Sequence, residues 1–151
     1  MGLIPPEHLA LEPKPVHDAK GQMGMVTYVY GNYQDYIPIY IYSILKSYPS
    51  YRVRIFFRET LQSRNKQALD AIRQDLSDHF EVRENSYAGP EEFEIRRIRW
   101  LLPREAFSGF DYAYIGDVDY IICREQRDIL ARHLRYCREM DLHYSNAVRE
   151  K

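Results

Sequence analysis

The chain has 151 residues, 45% of them hydrophobic and 28% charged, with a formal net charge of -1. The length points to one domain and the composition excludes a disordered chain. The near-neutral balance removes the electrostatic case for a nucleic-acid partner. No run approaches the roughly 18 apolar residues of a membrane-spanning helix, and the N-terminus lacks the charged-then-apolar order of a signal peptide.

In chain order, residues 1–24 read as a Pro-rich tail, with Pro5, Pro6, Pro13 and Pro15 interrupting any helix. Residues 25–151 form the folded domain. Residues 25–30, a β-branched and aromatic run closed by Gly31-Asn32, predict a first strand. Asp35 offers a cap to a helix whose first turn tolerates Pro38. Ile37, Tyr40, Ile41, Ile44, Leu45 and Tyr48 recur on its apolar side, and Pro49 ends it. Tyr51, Val53, Ile55 and Phe57 alternate with Arg52, Arg54 and Arg58, predicting a second strand. Ser63 opens a helix with Ala68, Leu69, Ile72 and Leu76 in one stripe, and 80–83 is a short third strand.

Pro90, Glu91 and Glu92 mark a further helix start, with Ile95, Ile98, Leu101 and Leu102 as its apolar face. Residues 110–115, almost wholly apolar or aromatic, predict a fourth strand covered on both faces. Residues 118–122 read as another short strand, and 126 to about 140 as a last helix, with His133 as a core residue on its apolar face. Cys123 and Cys137 lack metal spacing and read as buried thiols of a reducing compartment, so the expected location is cytoplasmic. Strands alternating with helices predict an α/β domain, a mainly parallel sheet with helices on both faces.

The informative stretch is 110–122, where Asp117 and Asp119 follow an apolar strand and precede more apolar residues. Carboxylates in such surroundings cost several kcal/mol unless a cation or hydrogen bonds compensate. Ligands of open α/β sheets gather beyond the strands' carboxyl ends, and hard cations such as Mg²⁺ or Mn²⁺ take carboxylate oxygens. Gly116 allows a sharp turn or a close backbone approach.

Tyr114-Ile115-Gly116-Asp117-Val118-Asp119-Tyr120-Ile121-Ile122 resembles the DxD segment of GT-A-fold glycosyltransferases, above all the lipopolysaccharide galactosyltransferase and glycogenin-like groups. Arg99-Trp100-Leu101-Leu102-Pro103 is similar to the Arg-Leu-Leu-x-Pro upstream of that motif, and 43–49 resembles the Ser-Leu-x-x-Asn-x-Pro of the first helix. The likeness runs in order over about residues 25 to 125.

It implies a Rossmann-like GT-A fold and hexose transfer from a nucleotide diphosphate sugar, most often a UDP-sugar. The acceptor would be a hydroxyl of a carbohydrate or lipid-linked glycan. Asp117-Val118-Asp119 would hold the diphosphate and Mn²⁺ or Mg²⁺, with Asp119 the direct metal ligand and Asp117 at the ribose or acting through water. Arg99 would neutralise the diphosphate. Thr27, Tyr28 and Tyr30 would meet the base, at least one of them being core because strand residues alternate, and Tyr33 would stack on it.

Gly116 departs from the pattern, since those families usually place Leu directly before the acidic motif. Their third metal ligand, a C-terminal His, and their acceptor site lie further downstream than the 32 residues that follow Asp119 here. The expectation is therefore a partial GT-A domain. Its rivals are a non-catalytic nucleotide-sugar-binding remnant and a Mg²⁺-dependent phosphoryl or nucleotidyl transferase; no P-loop is present, and the acidic pair lacks the Thr of haloacid dehalogenase phosphatases.

Overall fold

The structure, a computed structural model, describes residues 21–87 and 97–145. It is an α/β fold built on a four-stranded sheet: β1 (Met23–Val29), β2 (Arg52–Phe57), β3 (Phe80–Arg83) and β4 (Tyr112–Ile115). Every pairing is parallel and the strand order is β3-β2-β1-β4. Helices α1 (Ile37–Ser47) and α2 (Ser63–Asp75) supply the crossovers between β1 and β2 and between β2 and β3. The described residues fall into a compact unit, Gly21–Gln126, and a separate C-terminal segment from Arg127.

β1 is central and all seven of its residues are buried, so it begins at Met23, inside the stretch read as tail. Its Val26 and Tyr28 join Phe56 of β2 in a core cluster with Leu102 and Ala106. Gly24 lets the chain pass under an aromatic ring: a Cβ there would sit 2.2 Å from Phe110 Cδ2. The Arg54 guanidinium covers that ring from 4.6 Å and donates from Nη1 to the carbonyls of Ala106 and Ser108 at 2.9 and 3.1 Å. A residue expected as the polar side of an alternating strand thus fastens the 3-10 turn Arg104–Phe107 to the sheet.

The stripe expected on α1 is buried in full. Asp35, however, is not its cap. A 3-10 turn, Gly31–Tyr36, precedes α1, and Asp35 instead accepts from Arg64 Nη2 at 2.6 Å and Asn65 Nδ2 at 3.1 Å.

Three other expectations change. β4 lies at an edge among the described strands and is half exposed, because β1 covers one of its sides and nothing described pairs with the other. Residues 118–122 form no strand; the N–H and carbonyl of Ile122 at their end are taken by Ser43 and Ser47 of α1 rather than by a ladder. The helix expected from Pro90 lies partly outside the described residues; Ile98–Trp100 is a 3-10 turn, and Leu101 is 72% exposed while Leu102 is buried.

The C-terminal segment contains α3 (Ile129–Glu139), whose N-terminus is capped by Asp128 Oδ1 accepting from the Ala131 N–H at 3.2 Å. His133 Nδ1 lies 2.6 Å from Ser145 Oγ. Cys123 is exposed rather than buried, and Cys137 is half-buried, its thiol pKa raised by desolvation. No described helix is long and apolar enough to cross a membrane.

Candidate functional site

The strand order fixes where a ligand site belongs. Chain progression runs outward from β1 through β2 to β3, then returns to β4 on the opposite side of β1. The strand order thus reverses between β1 and β4, and ligands of open α/β sheets gather beyond the carboxyl ends of the strands at such a point. A cavity of about 290 Å³ lies there. Its size stands near the lower end of small-molecule sites, roughly 300–1,000 Å³.

One wall comes from β1 and the turn after it: Tyr28, Val29, Tyr30 and Tyr33. The Tyr30 and Tyr33 rings lie 5.6 Å apart, and Tyr33 leaves 44% of its surface in solvent. The turn is pinned from beneath by Gln34, which is buried and accepts from the Gln62 N–H at 2.9 Å and from Asn65 Nδ2 at 3.2 Å. Gly31, at a φ of 56°, takes the left-handed conformation that glycine adopts without strain, and its N–H donates to Glu59 at 3.0 Å. Tyr28 donates its phenol to the Tyr87 carbonyl at 2.8 Å. Burial raises its pKa, outweighing Arg58, which lowers it, with Glu59 adding a smaller upward push. Tyr28 is thus a neutral hydrogen-bond donor at ordinary pH.

The other wall is Arg99, Asp117, Val118 and Asp119. Val118 is buried, so its neighbours Asp117 and Asp119 are turned outward, the first half-buried and the second exposed. The Arg99 guanidinium forms an ion pair with Asp117, Nη1 to Oδ1, while Arg99 Nε is buried without a hydrogen-bond partner among the described residues. The Trp100 ring lies 5.9 Å from the guanidinium carbon.

Thr27 does not reach the cavity. It is fully buried, and its hydroxyl donates to the Gly116 carbonyl at 2.7 Å. Its role is to tie the turn carrying Asp117 to the central strand. The glycine at 116 answers to packing as much as to a ligand: a Cβ there would meet Tyr114 Cε1 at 2.7 Å.

Downstream of the acidic pair, α1 holds the chain. Ser43 Oγ accepts from the Ile122 N–H at 3.1 Å, and Ser47 Oγ donates to the Ile122 carbonyl at 3.0 Å. The Tyr48 hydroxyl accepts from the Glu125 N–H at 2.9 Å, and Arg124 donates to the Ser47 carbonyl at 2.9 Å. Gln34, Asn65 and these serine contacts escape sequence reasoning, because single polar residues in helical or turn positions carry no periodic signal. Within 43–49, periodicity marks Ile44, Leu45 and Tyr48 as the apolar side of a helix and likeness marks the segment as a whole, but neither states the task of Ser43 and Ser47.

Asp117 and Asp119 present carboxylate oxygens, the donors that Mg²⁺ and Mn²⁺ prefer. No group of three or more His, Cys, Asp or Glu side chains converges among the described residues. Two carboxylates beside an open cavity fit a cation that completes its shell with phosphate oxygens and water, the usual habit of Mg²⁺. No protein-family model matches this chain. No curated protein matches it significantly either.

Proposed function

We propose that this chain is the donor-binding part of a metal-dependent GT-A-type glycosyltransferase. Its donor is a nucleotide diphosphate sugar, a UDP-sugar in the first instance. Its acceptor is a hydroxyl of a carbohydrate or lipid-linked glycan. The observation that carries the reading is the convergence, at the switch point of a parallel sheet, of an aromatic wall with a wall of one arginine and two carboxylates. A nucleoside base stacks on tyrosine rings such as Tyr33 and Tyr30, while a diphosphate needs cationic partners such as Arg99.

Asp117 and Asp119 would hold Mn²⁺ or Mg²⁺. When bound, the cation supplies Lewis acidity toward the leaving diphosphate and a template for its orientation. Arg99 neutralises charge on the same group, Tyr28 donates rather than accepts protons, and Thr27 keeps the acidic turn in register with β1. A cytoplasmic setting belongs to this reading, supported by two free cysteines, one of them exposed.

Thermal-shift measurements with UDP-glucose, UDP-galactose, UDP-N-acetylglucosamine and GDP-mannose, each with Mn²⁺ and with chelator, test it. Ligand binding raises the melting temperature by mass action. At least one UDP-sugar should stabilise the chain with Mn²⁺, and Asp119→Ala should remove that gain. No shift with any nucleotide sugar would set the reading aside.

A further inference from the structure

Asp117 is paired with a side chain of the same cavity wall, and that partner is the group a diphosphate would seek. Arg99 Nη1 is paired with Asp117 Oδ1, and Arg99 Nε is a buried donor with no partner among the described residues. A guanidinium presents a fork of donors matched to two oxygens of one anion. The pairing with Asp117 thus leaves a buried donor of the fork unused in a side chain that lines the cavity. A cation approaching Asp117 meets the positive guanidinium on the same carboxylate, and like charges drawn to one anion repel. Exposed Asp119 offers a cation a single carboxylate until Asp117 is released.

We propose that the Arg99–Asp117 ion pair is a latch on the donor site, an inference that rests on the nucleotide-sugar reading. A diphosphate takes over the guanidinium, using the unpartnered Nε as a second donor, and thereby frees Asp117 for the cation. Diphosphate and cation then bind in mutual dependence, beyond their direct contact with each other, and the dependence is reciprocal. Without a nucleotide the latch keeps the site from binding divalent cations tightly. Arg99 is accordingly a positioning residue for the metal as well as a ligand of the diphosphate.

The test is Mn²⁺ affinity, read from the electron paramagnetic resonance of free Mn²⁺, without nucleotide and at saturating UDP. In the wild type, UDP should tighten Mn²⁺ binding by about ten-fold or more, within the range of coupling between sites. Arg99→Gln should tighten Mn²⁺ binding without nucleotide by roughly five-fold, weaken UDP, and reduce the coupling between them. Adding Asp117→Asn to Arg99→Gln should erase the gain, because the released carboxylate is gone. Arg99→Met, which keeps the apolar stem, gives the same comparison should the glutamine variant fail to fold by circular dichroism. Unchanged or weaker Mn²⁺ binding in the Arg99 variants, with UDP binding in the wild type still Mn²⁺-dependent, would overturn the latch and leave the donor site standing. Absence of UDP binding to the wild type with and without Mn²⁺ would overturn both.

Discussion

Asp117 and Asp119 stand two residues apart yet have unlike surroundings. Buried Val118 anchors the turn between them, Asp117 faces Arg99, and Asp119 faces solvent. Removing Asp119 therefore deletes a charge without opening a cavity, so Asp119→Ala should leave folding stability within about 0.5 kcal/mol of the wild type by urea unfolding. The tyrosines divide in the same way. Tyr28 is 6% exposed and committed to the Tyr87 carbonyl, whereas Tyr33 presents its ring to the crevice. Stacking of a base on an aromatic ring contributes about 1–3 kcal/mol, that is roughly 5- to 150-fold in affinity. Tyr33→Ala should weaken UDP within that range by calorimetric titration, with folding stability changed by less than about 0.5 kcal/mol, as for other exposed positions. Thr27 was legible as a strand residue at this site, but not its direction. Alternation places it opposite Val26 and Tyr28, and burial with a bond to Gly116 makes it core on its own face, as packing with Phe56 makes Tyr28 core on the other.

Between α1 and the chain after Asp119 the contacts are few, and the site depends on them. Ser43 and Ile122 are both buried, so Ser43→Ala leaves the Ile122 N–H without its acceptor. A buried donor left unsatisfied costs about 1–3 kcal/mol, which urea unfolding should detect, and the loosened turn should weaken UDP in the presence of Mn²⁺. At the far edge, β3 offers a pH test. The hydrogen bond from Arg83 chiefly, with Arg54 assisting, holds the Glu81 carboxyl below its ordinary pKa despite partial burial. A depressed carboxylate contributes stability above its unfolded-state pKa and loses it as pH falls through the folded value. The stability gap between wild type and Glu81→Gln should therefore shrink as pH drops from about 5 to about 3. Elements with strong periodicity, α1 and β2 above all, were legible because each buries a regular stripe. Residues 118–122 misled because apolar composition alone does not distinguish a strand from a loop clamped by serines. Tyr120 and Ile121 of that run are in fact exposed.

For the whole molecule, the parallel order β3-β2-β1-β4 turns separate sequence signals into one place. The tyrosines of 28–33, Arg99 and the acidic pair lie far apart in sequence, and the switch between β1 and β4 brings them around one cavity. The alternation of strands and helices made the parallel sheet legible; which side of β1 receives β4 was not, because nothing local encodes it. The central claim concerns charge at that cavity. Two carboxylates repel a diphosphate unless a divalent cation lies between them. Calorimetric titration of UDP into the wild-type chain, once with Mn²⁺ and once with chelator, tests this most directly. The account predicts binding that strengthens by at least about ten-fold with Mn²⁺. Equal affinity in the two titrations, or no binding in either, would contradict it.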